Sequence, residues 1–439
     1  MKLYSTKNKE KLASLKEAVL KGLPDDNGLY MPLAIPRLPA EFLANLEAYS
    51  FQEIAYTVAD ALFQGVIPES DLRKIITESI NFPAPVVQLN EQEYVLELFH
   101  GPSLAFKDFG ARFMAQLMSY FNQGEKRELV ILVATSGDTG GAVAAGFYQT
   151  PGTRVVILYP SGKVSMLQEK QLTTLGQNIT ALEVEGTFDD CQAMVKEAFL
   201  DPELNQVIRL TSANSINISR LIPQSFYYFE AYKQLPKDGR DTVFCVPSGN
   251  FGNLTAGMIA QRMGLPIQHF IAATNVNDVV PEYLESGLFS PRPSTRTLSN
   301  AMDVGNPSNF ARMLDLFEGL PEGSTWNNMK ENISGYAFTD VETRAAVADV
   351  DSKYGYVIDP HGAVGYLALK AYQKTHPKTK GVILETAHPS KFLDDVEAIL
   401  GREIEVPERL AILARRKKEA VLLPSRFAAL KEWLLKTMA

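Results

Sequence analysis

From residue 128 onward, short runs of β-branched and aliphatic residues alternate with stretches of helical period. Residues 128–134, 154–159 and 179–184 have the composition of buried strands, and a helical stretch follows each of them. This alternation is typical of a parallel sheet covered by helices. A second series of the same kind begins at residues 242–246. The sequence therefore predicts an α/β protein with two doubly wound domains, in which ligands bind at the carboxyl ends of the strands.

The same patterns predict the domain limits. A chain of 439 residues is too long for one core. We expect an N-terminal cap domain in residues 1–95, a large α/β domain in residues 96–127 and 211–439, and a smaller, mobile α/β domain in residues 128–210. Further expected elements are helices at 140–148, 165–175, 188–200, 218–235, 254–263, 363–373 and 391–400, strands at 267–273 and 381–384, and an irregular stretch at 285–335.

Charge and cysteine content exclude several classes of protein. The formal net charge of -8 disfavours a nucleic-acid binder, because affinity for phosphate backbones depends on clustered Lys and Arg. Cys191 and Cys245 give no disulfide framework and predict a reducing compartment. The first 21 residues lack the apolar core of a secretory signal, and no apolar run is long enough to span a membrane. We therefore expect a cytoplasmic protein with a small-molecule ligand and no nucleic-acid or membrane partner. No metal is expected, since His and Cys do not occur at metal-ligand spacings.

Four polar, Gly-containing segments follow predicted strands. In the first, residues 97–110, Lys107 lies between Phe106 and Phe109. Partial enclosure by apolar side chains lowers the pKa of a lysine and makes its amine a better nucleophile toward an aldehyde. Taken alone, however, a single lysine is more often an ordinary surface residue on a turn.

The other three segments each have two interpretations. Residues 134–141, ATSGDTGG, and residues 247–253, PSGNFGN, can receive a carboxylate or phosphate at a helix N-terminus, or they can be simple capping turns. The second of these is neither a nicotinamide-type glycine fingerprint nor a nucleoside-triphosphate loop. Residues 385–389, ETAHP, present hydroxyl and imidazole groups, but they can equally cap the helix that follows.

Taken in order, the four segments resemble those of the threonine synthases, specifically the longer bacterial and fungal form within the fold-type II pyridoxal-phosphate enzymes. The similarity covers most of the chain. It runs from Met1-Lys2-Leu3-Tyr4 and Gly28-Leu29-Tyr30, through Leu98-Phe99-His100-Gly101-Pro102-Ser103, to Ala387-His388-Pro389. The resemblance implies a fold-type II architecture and a pyridoxal 5'-phosphate cofactor.

The resemblance also implies roles for individual residues. Lys107 would carry the cofactor as a Schiff base, and Thr386 would face the nitrogen of its ring. Many fold-type II relatives have Asn where this chain has Asp138, near the ring hydroxyl, whereas the longer threonine synthases have Asp; the role of Asp138 stays open. The cofactor phosphate would lie on the loop formed by Ser248, Gly249, Asn250, Phe251 and Gly252.

The family reaction converts O-phospho-L-homoserine and water into L-threonine and phosphate. By resemblance, the substrate carboxylate would bind the loop that contains Thr135, Ser136 and Thr139. Its phosphate would bind the segment 212–220, in which Asn214, Ser215 and Arg220 are the expected donors. On local pattern alone, this last segment is the capped start of the helix at 218–235.

Three other functions compete with this one. A phospho-lyase or dehydratase of the same fold would share the cofactor site and release a 2-oxo acid. A cofactor-binding protein without catalysis is possible for any fold-level analogy. A nicotinamide-dependent oxidoreductase fits the α/β pattern, but the glycine fingerprint is missing after the relevant strands.

Overall fold

A computed structural model describes residues 1–318 and 323–438. Its strands are β1 (Lys2–Ser5), β2 (Asn8–Ser14), β3 (Tyr30–Pro32), β4 (Val86–Gln88), β5 (Glu93–Glu97), β6 (Leu129–Ala134), β7 (Thr153–Pro160), β8 (Ile179–Glu185), β9 (Arg209–Ser212), β10 (Thr242–Pro247), β11 (His269–Thr274), β12 (Ile333–Ala337), β13 (Lys380–Glu385) and β14 (Val421–Pro424). Its α-helices are α1 (Leu15–Lys21), α2 (Ala40–Ala44), α3 (Phe51–Phe63), α4 (Glu69–Ser79), α5 (Lys107–Asn122), α6 (Asp138–Phe147), α7 (Met166–Thr173), α8 (Phe188–Leu200), α9 (Pro202–Val207), α10 (Ile218–Leu221), α11 (Phe226–Gln234), α12 (Gly252–Arg262), α13 (Val279–Ser286), α14 (Phe310–Phe317), α15 (Thr325–Asn332), α16 (Asp340–Tyr354), α17 (Pro360–Gln373), α18 (Leu393–Leu400), α19 (Glu408–Arg415) and α20 (Phe427–Met438).

Two sheets of mainly parallel strands carry the architecture. The larger sheet has the strand order β12-β11-β10-β13-β5-β4, and only β4 is antiparallel to its neighbour. The smaller sheet, ordered β14-β8-β7-β6-β9, is parallel throughout. A three-stranded antiparallel sheet, β2-β1-β3, lies in the N-terminal region. The α/β class with two parallel-sheet units is thus confirmed.

Sheet membership differs from the expected domain limits at three places. Strands β4 and β5 belong to the larger sheet, although residues 86–95 were assigned to the cap domain. Strand β9 extends the smaller sheet to Ser212. Strand β14 pairs in parallel with β8, so residues 421–424 lie in the smaller sheet and not with the large domain.

Helix α5 joins the two sheets. Its buried face contains Phe109 and Phe113, and Phe109 packs against the rings of Phe82 and Tyr227 with centroid separations of 4.6 and 5.2 Å. Each fully buried phenylalanine stabilises the folded state by roughly 2–3 kcal/mol relative to an exposed one. Because the same helix also packs against α6 and α10, its first residue, Lys107, is held between the two units.

Two local expectations were wrong. The long helix at 218–235 is divided into α10, a 3-10 turn at Ile222–Ser225, and α11. Pro223 lies in that turn, where it lacks the N–H that a continuous α-helix needs. The irregular stretch at 285–335 contains α14 and α15, while residues 319–322 lie outside the described residues. Across the described ranges, no helix combines the length and apolar composition of a membrane span.

Candidate active site

The four polar segments all lie at carboxyl ends of strands, as predicted. Residues 97–110 follow β5, residues 134–141 follow β6, residues 247–253 follow β10 and residues 385–389 follow β13. Strand β13 lies between β10 and β5 in the larger sheet, so three of the segments meet at one edge. Helix α5 brings the fourth, on the smaller sheet, to the same place through its contact with α6.

A short antiparallel bridge fixes the position of Lys107. The N–H of Phe106 donates to the carbonyl of Thr386 at 2.9 Å, and the N–H of His388 donates to the carbonyl of Leu104 at 3.0 Å. Leu104 adopts the left-handed conformation, with a φ of 59°, which turns the chain into helix α5. The predicted Lys107 and Thr386 segments are therefore hydrogen-bonded neighbours.

The environment of Lys107 favours a free amine. Its side chain is 15% exposed, and Nζ lies 4.8 Å from the centroid of the Phe106 ring and 3.8 Å from Asp138 Oδ2. Burial lowers the pKa of Lys107; Asp138 opposes that shift, and the ammonium of Lys391 adds to it. The expectation that enclosure would activate this lysine agrees with its surroundings.

A second buried lysine, Lys391, pairs with Asp138. Lys391 Nζ lies 2.7 Å from Asp138 Oδ1 and donates to the carbonyl of Ser103 at 2.9 Å. Gln168 Nε2 donates to the same Asp138 oxygen at 3.1 Å. Burial alone would raise the pKa of Asp138, but Lys391 and Lys107 outweigh it and hold the pKa well below its usual range. Asp138 is therefore a carboxylate whose charge is already balanced.

Sequence reasoning missed Lys391. The sequence pattern identifies it only as the first residue of the expected helix 391–400. A usable signal was present, since a lysine in the first turn of a helix opposes the helix dipole and calls for another explanation. The structure places Lys391 at the end of a 3-10 turn, Pro389–Phe392, that directs it into the site.

Replacing Asp138 with Asn is expected to destabilise the protein by about 3 kcal/mol, because Lys391 would remain buried without an anionic partner. The double variant D138N/K391M should lose less stability than the sum of the two single variants, since it removes both charges. Urea unfolding of the cofactor-free protein measures both effects. Equal unfolding midpoints for D138N and the unaltered protein would contradict the importance of this pair.

The loop after β6 caps its own helix. Thr135 Oγ1 accepts hydrogen bonds from the N–H groups of Gly137 at 3.0 Å and Gly140 at 2.8 Å. Its own hydroxyl hydrogen remains available to donate. Ser136 is exposed and Thr139 is half-buried. The capping interpretation of this segment thus holds for Thr135, while Ser136 and Thr139 remain accessible.

The loop after β10 forms a compact turn into α12. Ser248 Oγ donates to the carbonyl of Val246 at 2.9 Å, and Phe251 adopts the left-handed conformation with a φ of 59°. Helix α12 begins at Gly252, so its first N–H groups have no partner within the helix and face this loop. Asn250 is exposed, and its Oδ1 accepts from the N–H of Ser308 at 3.3 Å.

Gly249 has no room for a side chain. A Cβ at this position would lie 2.4 Å from the carbonyl oxygen of Ala301 and 3.0 Å from the Cα of Met302. We expect Gly249→Ala to displace the loop and to weaken binding of an anionic ligand there by roughly tenfold, the effect of about 1–3 kcal/mol of overpacking. Equilibrium dialysis of the phosphorylated cofactor checks this, and an unchanged affinity would show that the loop does not hold it.

Arg220 is a buried cation without a carboxylate partner in the described residues. Its Nη1 donates to the carbonyl of Ala213 at 2.5 Å, and its Nε has no hydrogen-bond partner within residues 1–318 and 323–438. Gly110 of α5 packs directly against it, since a Cβ there would lie 2.8 Å from Nε. Burial lowers the pKa of Arg220 to about 10. Asn214 Oδ1, six residues earlier in the chain, is likewise buried and unpartnered in that part of the structure.

Arg312, which sequence reasoning did not identify, fixes the backbone of this segment. It is fully buried, and its Nη2 donates to the carbonyls of Ile216 at 2.7 Å and Tyr30 at 3.1 Å. A longer contact of 3.5 Å joins its Nη1 to the carbonyl of Ser215. Burial lowers the pKa of Arg312 to about 9. Its Nη1 also donates to Asn309 Oδ1 at 2.7 Å, three residues earlier. No sequence signal distinguishes this arginine, because the carbonyls of Tyr30 and Ile216 that it binds are distant in the chain.

The assembled residues fit anionic groups. Lys107 and Lys391 both lie close to Asp138, and Arg220 packs against α5, the helix that begins at Lys107. Asp138 pairs with Lys391, so Arg220 has no anionic partner in the described residues. Burying unpaired charge is unfavourable, so a site with this excess is stabilised when an anion enters. The buried, unpartnered Arg220 Nε supplies a donor for such an anion. The arrangement therefore fits both a phosphorylated cofactor and a phosphorylated substrate.

Three family models match the chain. Residues 2–80 match the N terminus of threonine synthase, residues 77–386 match the pyridoxal-phosphate dependent enzymes, and residues 362–434 match the C-terminal region of threonine synthase.

Individual threonine synthases are also similar to this chain over nearly its full length. The chain is 46% identical to the threonine synthase of Haemophilus influenzae, with 100% of both chains covered, and 46% identical to that of Escherichia coli, with 99% of both covered. The crystal structure of the Escherichia coli protein superposes with a TM-score of 0.92 at 44% identity, covering 99% of this chain and 100% of that one. A structure of threonine synthase from Brucella melitensis with bound PLP gives a TM-score of 0.94 at 37% identity, covering 100% and 99%.

Proposed function

Because the chain belongs to the threonine synthase family, we propose that its active site forms L-threonine and phosphate from O-phospho-L-homoserine and water, with Lys107 as the residue that binds the cofactor covalently. The protein is a pyridoxal-phosphate-dependent lyase of threonine biosynthesis. The single observation that carries the assignment of Lys107 is the hydrogen-bonded bridge that sets this buried amine beside Thr386.

The cofactor would be held at three points. Lys107 Nζ would bind its aldehyde carbon, and the loop from Ser248 to Gly252 would bind its phosphate. The hydroxyl of Thr386 would face the ring nitrogen, where a neutral group leaves the ring less strongly protonated than a carboxylate would. Asp138 lies near Lys107 with its charge balanced by Lys391, so it would not repel an anionic ring oxygen as an isolated carboxylate would. When bound, pyridoxal phosphate acts as an electron sink for the negative charge that develops on the substrate carbons.

Lys107 would also move protons. The reaction takes a proton from Cα and another from Cβ, breaks the Cγ–O bond to release phosphate, adds the hydroxyl of water at Cβ and returns protons to Cγ and Cα. The remaining proton of the water goes to the phosphate. Once the substrate amine has replaced Lys107 at the cofactor, the lysine amine is free and close to these carbons. Burial lowers the pKa of Lys107, which favours the unprotonated amine that can accept the first proton.

The substrate would be held by two groups of residues on opposite sides of Lys107. The loop containing Thr135, Ser136 and Thr139 would bind its carboxylate, and the hydroxyl hydrogen of Thr135 supports this. Asn214, Ser215 and Arg220 would bind its phosphate, and the support is the unpartnered Arg220 Nε. A guanidinium suits this task because its planar donors match phosphate oxygens.

The smaller sheet and its helices are proposed to form the mobile domain, which would close over the substrate and exclude bulk water, apart from the one molecule that reacts at Cβ. We assign residues 128–212 to it, together with the C-terminal strand β14, which pairs with β8. A cytoplasmic location remains our prediction, supported by the two free, buried cysteines, Cys191 and Cys245.

Borohydride reduction followed by peptide mapping tests the covalent assignment. We expect the cofactor label on the peptide that contains Lys107. Incubation of the protein with O-phospho-L-homoserine should then give threonine and phosphate in equal amounts. Release of 2-oxobutyrate in place of threonine would instead favour the phospho-lyase.

A further inference from the structure

Three titratable side chains, none of them used by the mechanism above, lie buried behind Thr386. Glu385 precedes Thr386 at the end of β13, and Asp359 and His361 lie at the start of α17. Glu385 and Asp359 are completely buried and His361 is 2% exposed. Two carboxyl groups enclosed together require an explanation, because burying both as anions is strongly unfavourable.

The hydrogen bonds of Asp359 are those of the ionised carboxylate of the two. It caps α17, and its Oδ1 accepts from the backbone N–H of His361 at 2.7 Å and lies 2.5 Å from His361 Nδ1. The N–H of Ala301 donates to His361 Nε2 at 3.2 Å, so the imidazole carries its hydrogen on Nδ1 and is neutral. Two N–H donors and the N-terminus of a helix stabilise a carboxylate at Asp359.

The surroundings of Glu385 are those of the protonated, neutral carboxyl group of the two. Its Oε1 accepts from the N–H of Asp359 at 2.6 Å. Its Oε2 and Asp359 Oδ2 are both buried, and neither has a hydrogen-bond partner among the described residues. Two carboxylate oxygens can form a hydrogen bond only when one of them carries a proton. One proton shared between these neighbouring carboxyl groups would give both atoms a partner.

The neighbouring charged groups do not neutralise Glu385 and Asp359 in place of that proton. Within residues 1–318 and 323–438, no Lys or Arg nitrogen lies within 4.0 Å of either carboxyl. Glu97, whose Oε1 accepts from the hydroxyl of Tyr356 at 2.9 Å, adds further negative charge near Glu385. Lys107 and His388 face Asp359 at longer range. Burial, followed by the charge of Asp359, raises the pKa of Glu385 well above its usual range.

We propose that Glu385 and Asp359 share one proton and that this pair positions both Thr386 and the phosphate-binding loop. The connection to the loop runs from Asp359 through His361 to Ala301, whose carbonyl oxygen touches the position where Gly249 would carry a Cβ. On the side of Thr386, the connection is covalent, since Glu385 is the preceding residue. The proposal rests on the proposed function, in which Thr386 and Gly249 contact the cofactor.

The residues along this connection are closely packed. A Cβ at Gly362, on the first turn of α17, would lie 1.6 Å from Glu385 Oε2, and a Cβ at Gly249 would lie 2.4 Å from the carbonyl oxygen of Ala301. When the proton is lost, both carboxyl groups are anions in a fully buried site. Repulsion would then move Glu385, and with it Thr386, because no space exists to absorb the change elsewhere.

The sign of the pH effect follows from the raised pKa of Glu385. The stabilising proton is present at low pH and is lost as pH rises through the pKa of the folded state. Release of the cofactor should therefore accelerate with rising pH, at most about tenfold per pH unit, the limit for one proton. Glu385→Gln keeps an N–H donor toward Asp359 but cannot ionise, so its cofactor release should be nearly independent of pH.

The decisive measurement is the infrared spectrum of the protein at neutral pH, which shows a protonated carboxylic acid by its carbonyl stretch. We expect this band in the unaltered protein, with or without cofactor, and expect it to vanish in E385Q. The matched control is Glu93→Gln, since Glu93 is also a buried glutamate but pairs with Lys370 Nζ at 2.6 Å and should be ionised. The band should survive in E93Q.

Two results would overturn the proposal. A spectrum without the carboxylic-acid band, or a band that persists in E385Q, shows that the proton is not on this pair. Loss of the band in E385Q with unchanged pH dependence of cofactor release shows that the pair shares a proton but does not position the site. Because the band is read without cofactor, the infrared results are distinct from a failure of the Lys107 assignment, and borohydride labelling checks that assignment separately for the release measurement.

Discussion

Lys107→Ala should reduce kcat/KM by at least about 10³-fold, because it removes both the covalent attachment and the proton transfer, and proton transfer alone contributes roughly 10²–10⁴-fold. The folded state should persist, since Asp138 keeps its partner Lys391 at 2.7 Å and no buried charge is left unpaired. Steady-state kinetics with O-phospho-L-homoserine, together with thermal unfolding, check both statements.

Two controls separate chemistry from charge. Lys107→Arg retains a cation but lacks a primary amine, so it should be as inactive as the alanine variant and should take no borohydride label. Lys163→Ala changes an exposed lysine and should have unaltered kinetics. If K107A turned over at the normal rate, Lys107 could be neither the attachment point nor the base.

Arg220→Ala should weaken the binding of phosphorylated amino-acid ligands about 10²-fold, the effect of losing roughly 3 kcal/mol of charge-assisted hydrogen bonding in a buried site. Binding of L-threonine, which has no phosphate, should change little. Isothermal titration of a non-reactive phosphonate analogue and of threonine provides the comparison. Arg220→Lys should recover part of the affinity, since a lysine supplies the charge without the planar fork.

The outcome for threonine distinguishes two explanations of a weakened phosphonate affinity. Equal loss for both ligands would mean that Arg220 merely supports the fold, through its contact with Ala213 and its packing against Gly110. Arg402→Ala serves as the matched control, because Arg402 is half exposed and pairs with Asp351 on the surface. Its affinity for both ligands should be unchanged.

The regular parts of the fold were predictable because each strand and helix has its own local period. Strand β6 is uniformly buried, and in β7 every residue except Arg154 is buried. Both strands are bounded by Gly or polar residues, which is the simplest pattern to interpret. Strand β14 could not be predicted, since its four residues have no period of their own and two of them, Val421 and Leu422, are exposed. It is a strand only because the edge of β8 accepts it.

Some parts of the site could likewise be predicted from the sequence, and others could not. The positions of the segments around Lys107, Ser248 and Thr386 at the ends of strands were predictable, because a polar, Gly-containing turn after an apolar run has a recognisable local composition. Lys391 and Arg312 were not, because their partners, Asp138 and the carbonyls of Tyr30 and Ile216, are distant in the chain. Long-range electrostatic pairing has no local period, so only the folded chain reveals it.

The pairing of β14 with β8 has a consequence for the synthesis of this chain. During translation, β6 to β9 emerge from the ribosome long before residues 421–424, so the nascent smaller sheet presents β8 as an open edge until those residues are made. Open edges of parallel strands recruit other chains. We therefore expect chains that terminate before residue 421 to aggregate, as light scattering of such truncated products would show. Strand β14 would then prevent aggregation of the newly made protein by covering the edge of β8.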